Sequence, residues 1–128
     1  MILVDSTVLI DCLRASDAKL LALLHAEGAG VCGVVRAEIL HGARNVAHRS
    51  QVVQFLDSFT QVNIPGSLWD AVGDTLAELR RKGVTVPFPD GVLATLAIAL
   101  DVELWSRDQH FQLMQKVLPM LRLYQEPP

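Results

Sequence analysis

The sequence predicts an α/β fold in which a short, mainly parallel central sheet is covered by helices on both faces. Apolar runs of four or five residues alternate with helical patterns along the chain, and these runs are apolar along their whole length, as is typical of strands buried on both faces. Hydrophobic residues make up 51% of the 128 residues, which is enough to form a core. We therefore expect one domain spanning residues 1–128.

The apolar runs in the first half of the chain predict three strands. Residues 2–5 form the first strand, and the helical pattern "STVLIDCLR" follows it. Ser16 and Asp17 can cap a second helix, which the glycines of "EGAG" end before a strand at about 31–33. The helix "VVRAEILHGARN" follows, and then a helix that places Val52, Val53, Phe55, Leu56 and Phe59 inward. The short strand "QVNI" completes this half.

The second half predicts two more strands and three helices. A turn at 65–67 precedes a strongly amphipathic helix that ends at Gly83. "VPFPD" introduces an apolar helix that ends near Leu100. The strand "VELWS", the helix "RDQHFQLMQKVL" and a last strand "MLRLY" follow.

Several features bear on location and on the roles of single residues. The apolar stretch 91–100 is about half the roughly 20 residues that a membrane span needs, and the N-terminus lacks a basic segment before its apolar run. We therefore expect a cytoplasmic protein that contacts no membrane.

Isolated cysteines in apolar settings indicate core residues in a reducing compartment, and the histidines share no metal-ligand spacing. The cysteines are Cys12 and Cys32, and the histidines are His25, His41, His48 and His110. Aromatic residues in helix and strand patterns are expected in the core: Trp69, Phe88, Trp105 and Phe111.

Four acidic residues stand where an α/β fold places its functional groups. Asp5 ends the first strand and Asp108 follows "VELWS" by two residues, so both would project into one crevice beyond the sheet if these strands are neighbours. Glu38 falls on an apolar helix face, and Asp90 begins a helix whose next ten residues are uncharged.

Each acid also has an ordinary structural interpretation. Asp5, Asp90 and Asp108 could cap the helices that they precede. Glu38 could pair with Arg36 or His41 on its own helix.

Together these segments resemble the PIN domain, specifically the VapC-type toxin endoribonucleases. The resemblance covers essentially the whole chain and depends on "VDST", "VVRAEILHGA", "VPFPDGVLATLAIAL" and "LWSRDQHF" in this order. It implies an acidic quartet of catalytic residues at Asp5, Glu38, Asp90 and Asp108. It also implies supporting hydroxyls at Ser6, where the family usually has Thr, and at Ser106. Gly91 departs from the family pattern, which prefers a bulkier residue after the third acid.

Clustered carboxylates repel one another and remain ionised together only if a cation compensates. All-oxygen ligation favours Mg²⁺ or Mn²⁺ over Zn²⁺. We expect Asp5, Asp90 and Asp108 to bind this metal directly or through water. Glu38 would join them or position the attacking water.

The resemblance further implies a function and partners. It implies RNA cleavage that leaves a 5'-phosphate and a 3'-hydroxyl, by the toxin of a type II toxin–antitoxin system. Its partners would be a second copy in a homodimer and a small DNA-binding antitoxin, whose basic side chain could compete with the metal.

The net charge of −3 is unusual for a nucleic-acid-binding protein. The chain has 11 Lys and Arg and 14 Asp and Glu, so leaving out the four acids changes the balance to +1. Arg14, Arg36 and Arg107, together with Arg44 and Arg49, could then hold RNA phosphates at the crevice rim, although for each of them a solvated surface charge is the more common role.

Two other classes of protein share some of these features. An aspartyl-phosphate phosphotransfer protein also places Asp at the end of a first parallel strand, but "DST" lacks the second Asp of a haloacid-dehalogenase-type phosphatase. Alternatively, the chain could be a catalytically silent PIN-like binding module. Metal-dependent RNA cleavage that requires Asp5 and Asp90 distinguishes these alternatives.

Overall fold

Four short parallel strands form the centre of the protein in a computed structural model that describes residues 1–128. The strands are β1 (Ile2–Val4), β2 (Ala29–Cys32), β3 (Thr60–Val62) and β4 (Leu104–Trp105). The helices are α1 (Ser6–Ala15), α2 (Ala18–Ala26), α3 (Gly33–His41), α4 (Val46–Asp57), α5 (Leu68–Arg81), α6 (Phe88–Leu100) and α7 (His110–Val117). The predicted α/β class is confirmed, and no helix has both the length and the apolar character needed to span a bilayer.

The strand order is β3-β2-β1-β4, and every pairing within the sheet is parallel. Leu3 lies in the middle of the sheet, where it pairs with Gly30 of β2 on one side and with Leu104 of β4 on the other. The chain builds the sheet outward from β1 through β2 to β3, then returns to the opposite side of β1 for β4.

The predicted last strand "MLRLY" is wrong as a strand. Only Leu123 forms an isolated parallel bridge, with Leu104, through hydrogen bonds that involve Arg122 and Tyr124. Because β4 is only two residues long, it offers the C-terminal segment too short an edge for a longer strand pairing.

The core contains 29 buried hydrophobic residues and confirms most of the predicted interior. Cys12 and Cys32 are buried free thiols, and Trp105 and Phe111 are fully buried. The predictions for Trp69 and Phe88 are wrong, because these side chains are 43% and 57% exposed. Both stand in the first turn of a helix: Trp69 lies beside the buried face of α5, and Phe88 precedes the buried segment of α6.

Helix α6 crosses the interior and is buried without interruption from Asp90 to Ala97, as its charge-free sequence predicts. It packs most extensively against α5. A Cβ on Gly91 would lie 2.5 Å from Leu76 Cδ2, so this glycine permits the two helices to approach closely directly beside Asp90.

Candidate active site

The strand order creates a crevice between the carboxyl ends of β1 and β4. The chain direction across the sheet reverses between these strands, and open α/β sheets bind ligands at such a switch point. Asp5 follows β1 directly, and Asp108 lies in the loop between β4 and α7. These two strands are neighbours in the sheet, so the condition under which Asp5 and Asp108 share one edge is met.

Asp5 is 3% exposed and accepts hydrogen bonds from two hydroxyls. Thr7 Oγ1 donates to Asp5 Oδ2 at 2.8 Å, and Ser106 Oγ donates to the same oxygen at 2.7 Å. Asp5 stands at the N-cap position of α1, but its side chain makes no capping hydrogen bond. The interpretation of Asp5 as a capping carboxylate is therefore wrong. Oδ1 accepts no hydrogen bond and is not fully buried, so it is available to a ligand in the crevice.

The same hydroxyls hold the loop that follows β4. Ser106 Oγ accepts a hydrogen bond from the main-chain N–H of Asp108 at 2.9 Å, and Thr7 Oγ1 accepts one from Arg107 N–H at 3.1 Å. Ser106 is one of the predicted supporting hydroxyls, and Thr7 is a further one that the sequence did not indicate. Ser6 is buried, and its hydroxyl lies close enough to Glu38 to lower the pKa of that carboxyl, whereas it makes no hydrogen bond to Asp5.

Asp90 projects from the first turn of α6 toward this crevice, with its side chain 12% exposed. Pro87 occupies the N-cap position of α6 and no side chain caps the helix, so the capping interpretation is wrong for Asp90 as well. Burial raises the pKa of Asp90, the charges of Asp5 and Asp108 raise it further, and His110 acts in the opposite direction.

Asp108 accepts a main-chain hydrogen bond at the start of α7 and also lies at the predicted functional position. Its Oδ1 accepts a hydrogen bond from the main-chain N–H of His110 at 2.9 Å, at the start of α7. The same oxygen lies 3.2 Å from His110 Nδ1, which is also 3.3 Å from Asp90 Oδ2. One potential ligand atom from each of Asp90, Asp108 and His110 therefore lies within 4.8 Å of the others.

Glu38 lies at the exposed rim of the crevice on α3. Partial burial is the main cause of the raised pKa of Glu38. The charges of Asp5 and Asp90 raise the pKa further, and the Ser6 hydroxyl lowers it. The interpretation of Glu38 as a partner of Arg36 is wrong, because Arg36 pairs with Asp57 instead. No ion pair with His41 forms either.

His110 is the group that sequence reasoning missed. It was expected at an ordinary surface position because the histidines share no ligand spacing. The only available signal was its place two residues after Asp108, since Asp90 is 20 residues away in the chain.

The three candidate arginines occupy different environments. Arg36 binds Asp57 at 2.9 Å and lies near Gln61. Arg107 binds Glu126 and Asp11, and these hydrogen bonds and charges raise its pKa above the ordinary value. Arg14 forms no ion pair and faces a groove that begins at Glu38.

This groove has a volume of about 480 Å³ and runs between α1, α3 and α4. Its lining comprises Ile10, Leu13, Arg14, Glu38, Ile39, Gly42, Arg44, His48 and Val52. Arg44 N–H donates a hydrogen bond to His48 Nδ1 at 3.0 Å, and Asn45 caps α4 by accepting from His48 N–H at 2.8 Å. These contacts fix the loop that presents Arg44, which, like Arg14, forms no ion pair.

Comparison with known proteins identifies similar sequences and folds. Residues 2–117 match the PIN domain. The chain is 32% identical over 113 residues to Ribonuclease VapC32 of Mycobacterium tuberculosis, covering 88% of each protein. Its fold is similar to that of chains in VapBC from Salmonella typhimurium bound to DNA and VapBC2 from Rickettsia felis bound to a promoter DNA fragment. The TM-scores are 0.80 and 0.77, the identities are 16% and 20%, and in both comparisons the match covers 97% of this chain and 98% of the other.

Proposed function

This chain belongs to the PIN domain family, and from that premise we propose that it is a metal-dependent endoribonuclease that hydrolyses RNA phosphodiester bonds. Its biological role would be that of the toxin in a type II toxin–antitoxin system. The observation that carries the proposal is that Asp5, Glu38, Asp90 and Asp108 lie close enough at the sheet's switch point for their charges to act on one another. Repulsion among these acids contributes to the raised pKa values of Glu38 and Asp90.

The donor set suits a small divalent cation. Asp5 offers Oδ1, and Asp90 and Asp108 offer carboxylate oxygens within 4.8 Å of each other. Carboxylate oxygens are the ligands that Mg²⁺ and Mn²⁺ prefer. We assign these three acids to binding Mg²⁺ or Mn²⁺, directly or through water. When bound, the cation polarises water and stabilises negative charge on the phosphate and the leaving oxygen.

The residues of the chain orient the reacting groups and accept the proton. The hydroxyls of Thr7 and Ser106 fix the Asp5 carboxylate by holding Oδ2, which aims Oδ1 at the crevice. Glu38 stands at the exposed rim, where water and substrate can reach it. Its raised pKa makes it a better proton acceptor than an ordinary carboxylate. Glu38 therefore positions the attacking water and accepts its proton.

The groove beside Glu38 is the proposed path of the RNA backbone. Arg14 and Arg44 form no ion pair and can hold phosphates. Arg36 and Arg107 already bind acidic side chains, so we expect them to contribute less to RNA binding. Neutralising Arg14 and Arg44 should raise KM for RNA and weaken the salt dependence of RNA binding, while kcat should stay nearly unchanged.

The partners are a small DNA-binding antitoxin and a second copy of the chain. Structural neighbours with a similar fold come from VapBC complexes, some of them bound to DNA. A basic side chain from the antitoxin would compete with the cation for the crevice carboxylates. Coexpression with the cognate antitoxin should therefore lower nuclease activity, and equal rates with and without that protein would count against this partner.

Incubating purified protein with RNA tests the enzymatic proposal. Cleavage should occur with Mn²⁺ or Mg²⁺, stop with EDTA and fall by roughly a thousandfold or more in Asp5→Asn and Asp90→Asn. Asp74→Asn, an exposed acid on α5, is the matched control and should retain full activity. RNA binding without cleavage under all metal conditions would support the silent binding module instead. A stable acyl-phosphate on Asp5 would support phosphotransfer.

A further inference from the structure

We propose that His110 supplies a nitrogen ligand to the cation site and makes this site select Mn²⁺ over Mg²⁺. This inference rests on the proposed function, because it concerns the same crevice. It goes further by assigning metal selectivity to a residue outside the acidic quartet.

The position of the imidazole is that of a ligand in a shared coordination shell. His110 Nδ1 lies 3.3 Å from Asp90 Oδ2 and 3.2 Å from Asp108 Oδ1. Around a cation with bonds of about 2.1 Å, adjacent ligand atoms are separated by roughly 3.0 to 3.4 Å. Nδ1 is therefore spaced from each carboxylate oxygen as one ligand is spaced from the next.

Main-chain contacts hold His110 in this place. Its N–H donates to Asp108 Oδ1 at 2.9 Å, and Asp108 N–H donates to Ser106 Oγ at 2.9 Å. Ser106 is in turn bound to Asp5. The hydroxyl network that orients the first acid therefore also positions the start of α7, from which the imidazole projects.

The His110 ring has no evident structural function apart from these contacts. Its side chain is 47% exposed, so it does not fill the core, and its only polar partners are Asp90 and Asp108. A neutral ring can carry its proton on Nε2, which leaves the Nδ1 lone pair free to bind a cation.

A nitrogen ligand changes the expected metal preference of the site. Mg²⁺ is a hard cation that takes oxygen ligands and retains its waters. Imidazole suits transition metals better than Mg²⁺, and Mn²⁺ is a transition metal that also accepts carboxylates. The combination of two close carboxylates and one imidazole therefore favours Mn²⁺ over Mg²⁺.

Direct metal binding without RNA tests this inference. Isothermal titration with MnCl₂ and with MgCl₂ should show tighter binding of Mn²⁺ to the wild-type chain. His110→Ala should weaken Mn²⁺ binding by about tenfold or more but Mg²⁺ binding by less than about threefold. His110→Gln, which offers an amide oxygen, should behave like His110→Ala toward Mn²⁺.

His25 provides the matched histidine control. It lies near the end of α2, which leads into the amino end of β2, whereas the acids lie at the carboxyl ends of the strands. Its ring stacks on Phe59. His25→Ala should leave both metal affinities unchanged. Electron spin-echo spectroscopy of bound Mn²⁺ should show nitrogen coupling in the wild type and in His25→Ala but not in His110→Ala.

The outcomes separate the inference from the proposed function. Equal weakening of Mn²⁺ and Mg²⁺, or Mn²⁺ without nitrogen coupling, would overturn the role of His110 and leave the acidic site standing. Tighter binding of both metals to His110→Ala would show that the ring competes with the cation, which also overturns it. A wild-type chain that binds neither metal would refute the metal site itself.

Discussion

Replacing Asp90 with asparagine should stabilise the metal-free protein. Burial and the neighbouring acids raise the pKa of Asp90 in the folded state, whereas an unfolded aspartate titrates at about 3.9. Between these two pKa values the folded chain binds more protons than the unfolded chain, so stability falls as the pH rises through this interval. Above the raised pKa the charged carboxylate leaves a constant deficit, which asparagine removes.

Burial contributes most to this deficit and the charge of Asp5 comes next, and repulsion from Asp108 adds a part whose size follows from the separation of the two charges. The potential ligand atoms of Asp90 and Asp108 lie within 4.8 Å of each other. Two unit charges at this distance repel by about 3.5 kcal/mol at an effective dielectric constant of 20 and by about 0.9 kcal/mol in water. Since His110 contacts both acids and Asp108 is partly exposed, we expect Asp90→Asn to raise the free energy of unfolding by about 1 to 2 kcal/mol.

Urea denaturation followed by circular dichroism measures this difference. In EDTA at pH 7 the variant should unfold at higher urea than the wild type, and the difference should shrink as the pH falls through the raised pKa of Asp90 toward about 4. Mn²⁺ at about 100 times its Kd should add about 2.7 kcal/mol to the wild type alone. The order of stability should therefore reverse when metal is added.

Asp74→Asn makes the same chemical change at an exposed position outside the crevice. It should alter stability by less than about 0.5 kcal/mol with or without metal. If Asp90→Asn were less stable than the wild type in EDTA, the contact of Asp90 with His110 would outweigh the repulsion, and the electrostatic reasoning would be refuted.

Three further substitutions test the packing and the hydroxyl network. Gly91→Ala should destabilise the fold by about 1 to 2 kcal/mol in urea denaturation, because the new methyl group overlaps Leu76 Cδ2 and Cγ. A penalty that persists unchanged in a Leu76→Ala background would contradict this cause. Ser106→Ala removes a hydrogen bond to Asp5 and should weaken Mn²⁺ binding in calorimetry by about tenfold; unchanged affinity would show that this hydroxyl does not orient the site. Arg107→Ala should lower stability by about 1 kcal/mol and expose the C-terminal segment to proteolysis, and an unaltered digestion pattern would rule out its tethering role.

The acids at strand ends could be predicted from sequence because local rules determine their position. A short apolar run followed by a helix pattern fixes where β1 ends, so Asp5 must stand at the carboxyl edge of the sheet. The same reasoning applies to Asp108 after β4. The absence of charge in α6 required burial on all sides, which placed Asp90 in the interior.

The partners of these acids could not be predicted in the same way. Thr7 and Ser106 are 99 residues apart, and their convergence on one oxygen of Asp5 depends on the register of β1 with β4. His110 reaches Asp90 only because the loop after β4 turns toward the first turn of α6. Neither contact leaves a periodic pattern in the sequence.

Helix ends were the other source of error, since periodicity identifies a face but not where burial begins along it. Trp69 lies one residue after the buried Leu68, so a rotation of about 100° carries its ring toward solvent. Phe88 opens α6 before the buried segment starts at Asp90. A hydrophobic residue in a first turn is therefore weaker support for a core position than the same residue in mid-helix.

The arrangement around Asp5 explains how the fold can keep four acids together. A buried carboxylate needs hydrogen bonds, and here both come to Oδ2, from hydroxyls that belong to α1 and to the loop after β4. Those bonds fix the direction of the carboxylate while Oδ1 stays available. His110 offsets part of the repulsion at Asp90. The chain thus tolerates the like charges through neutral donors and one imidazole, at a stability cost that cation binding would reverse.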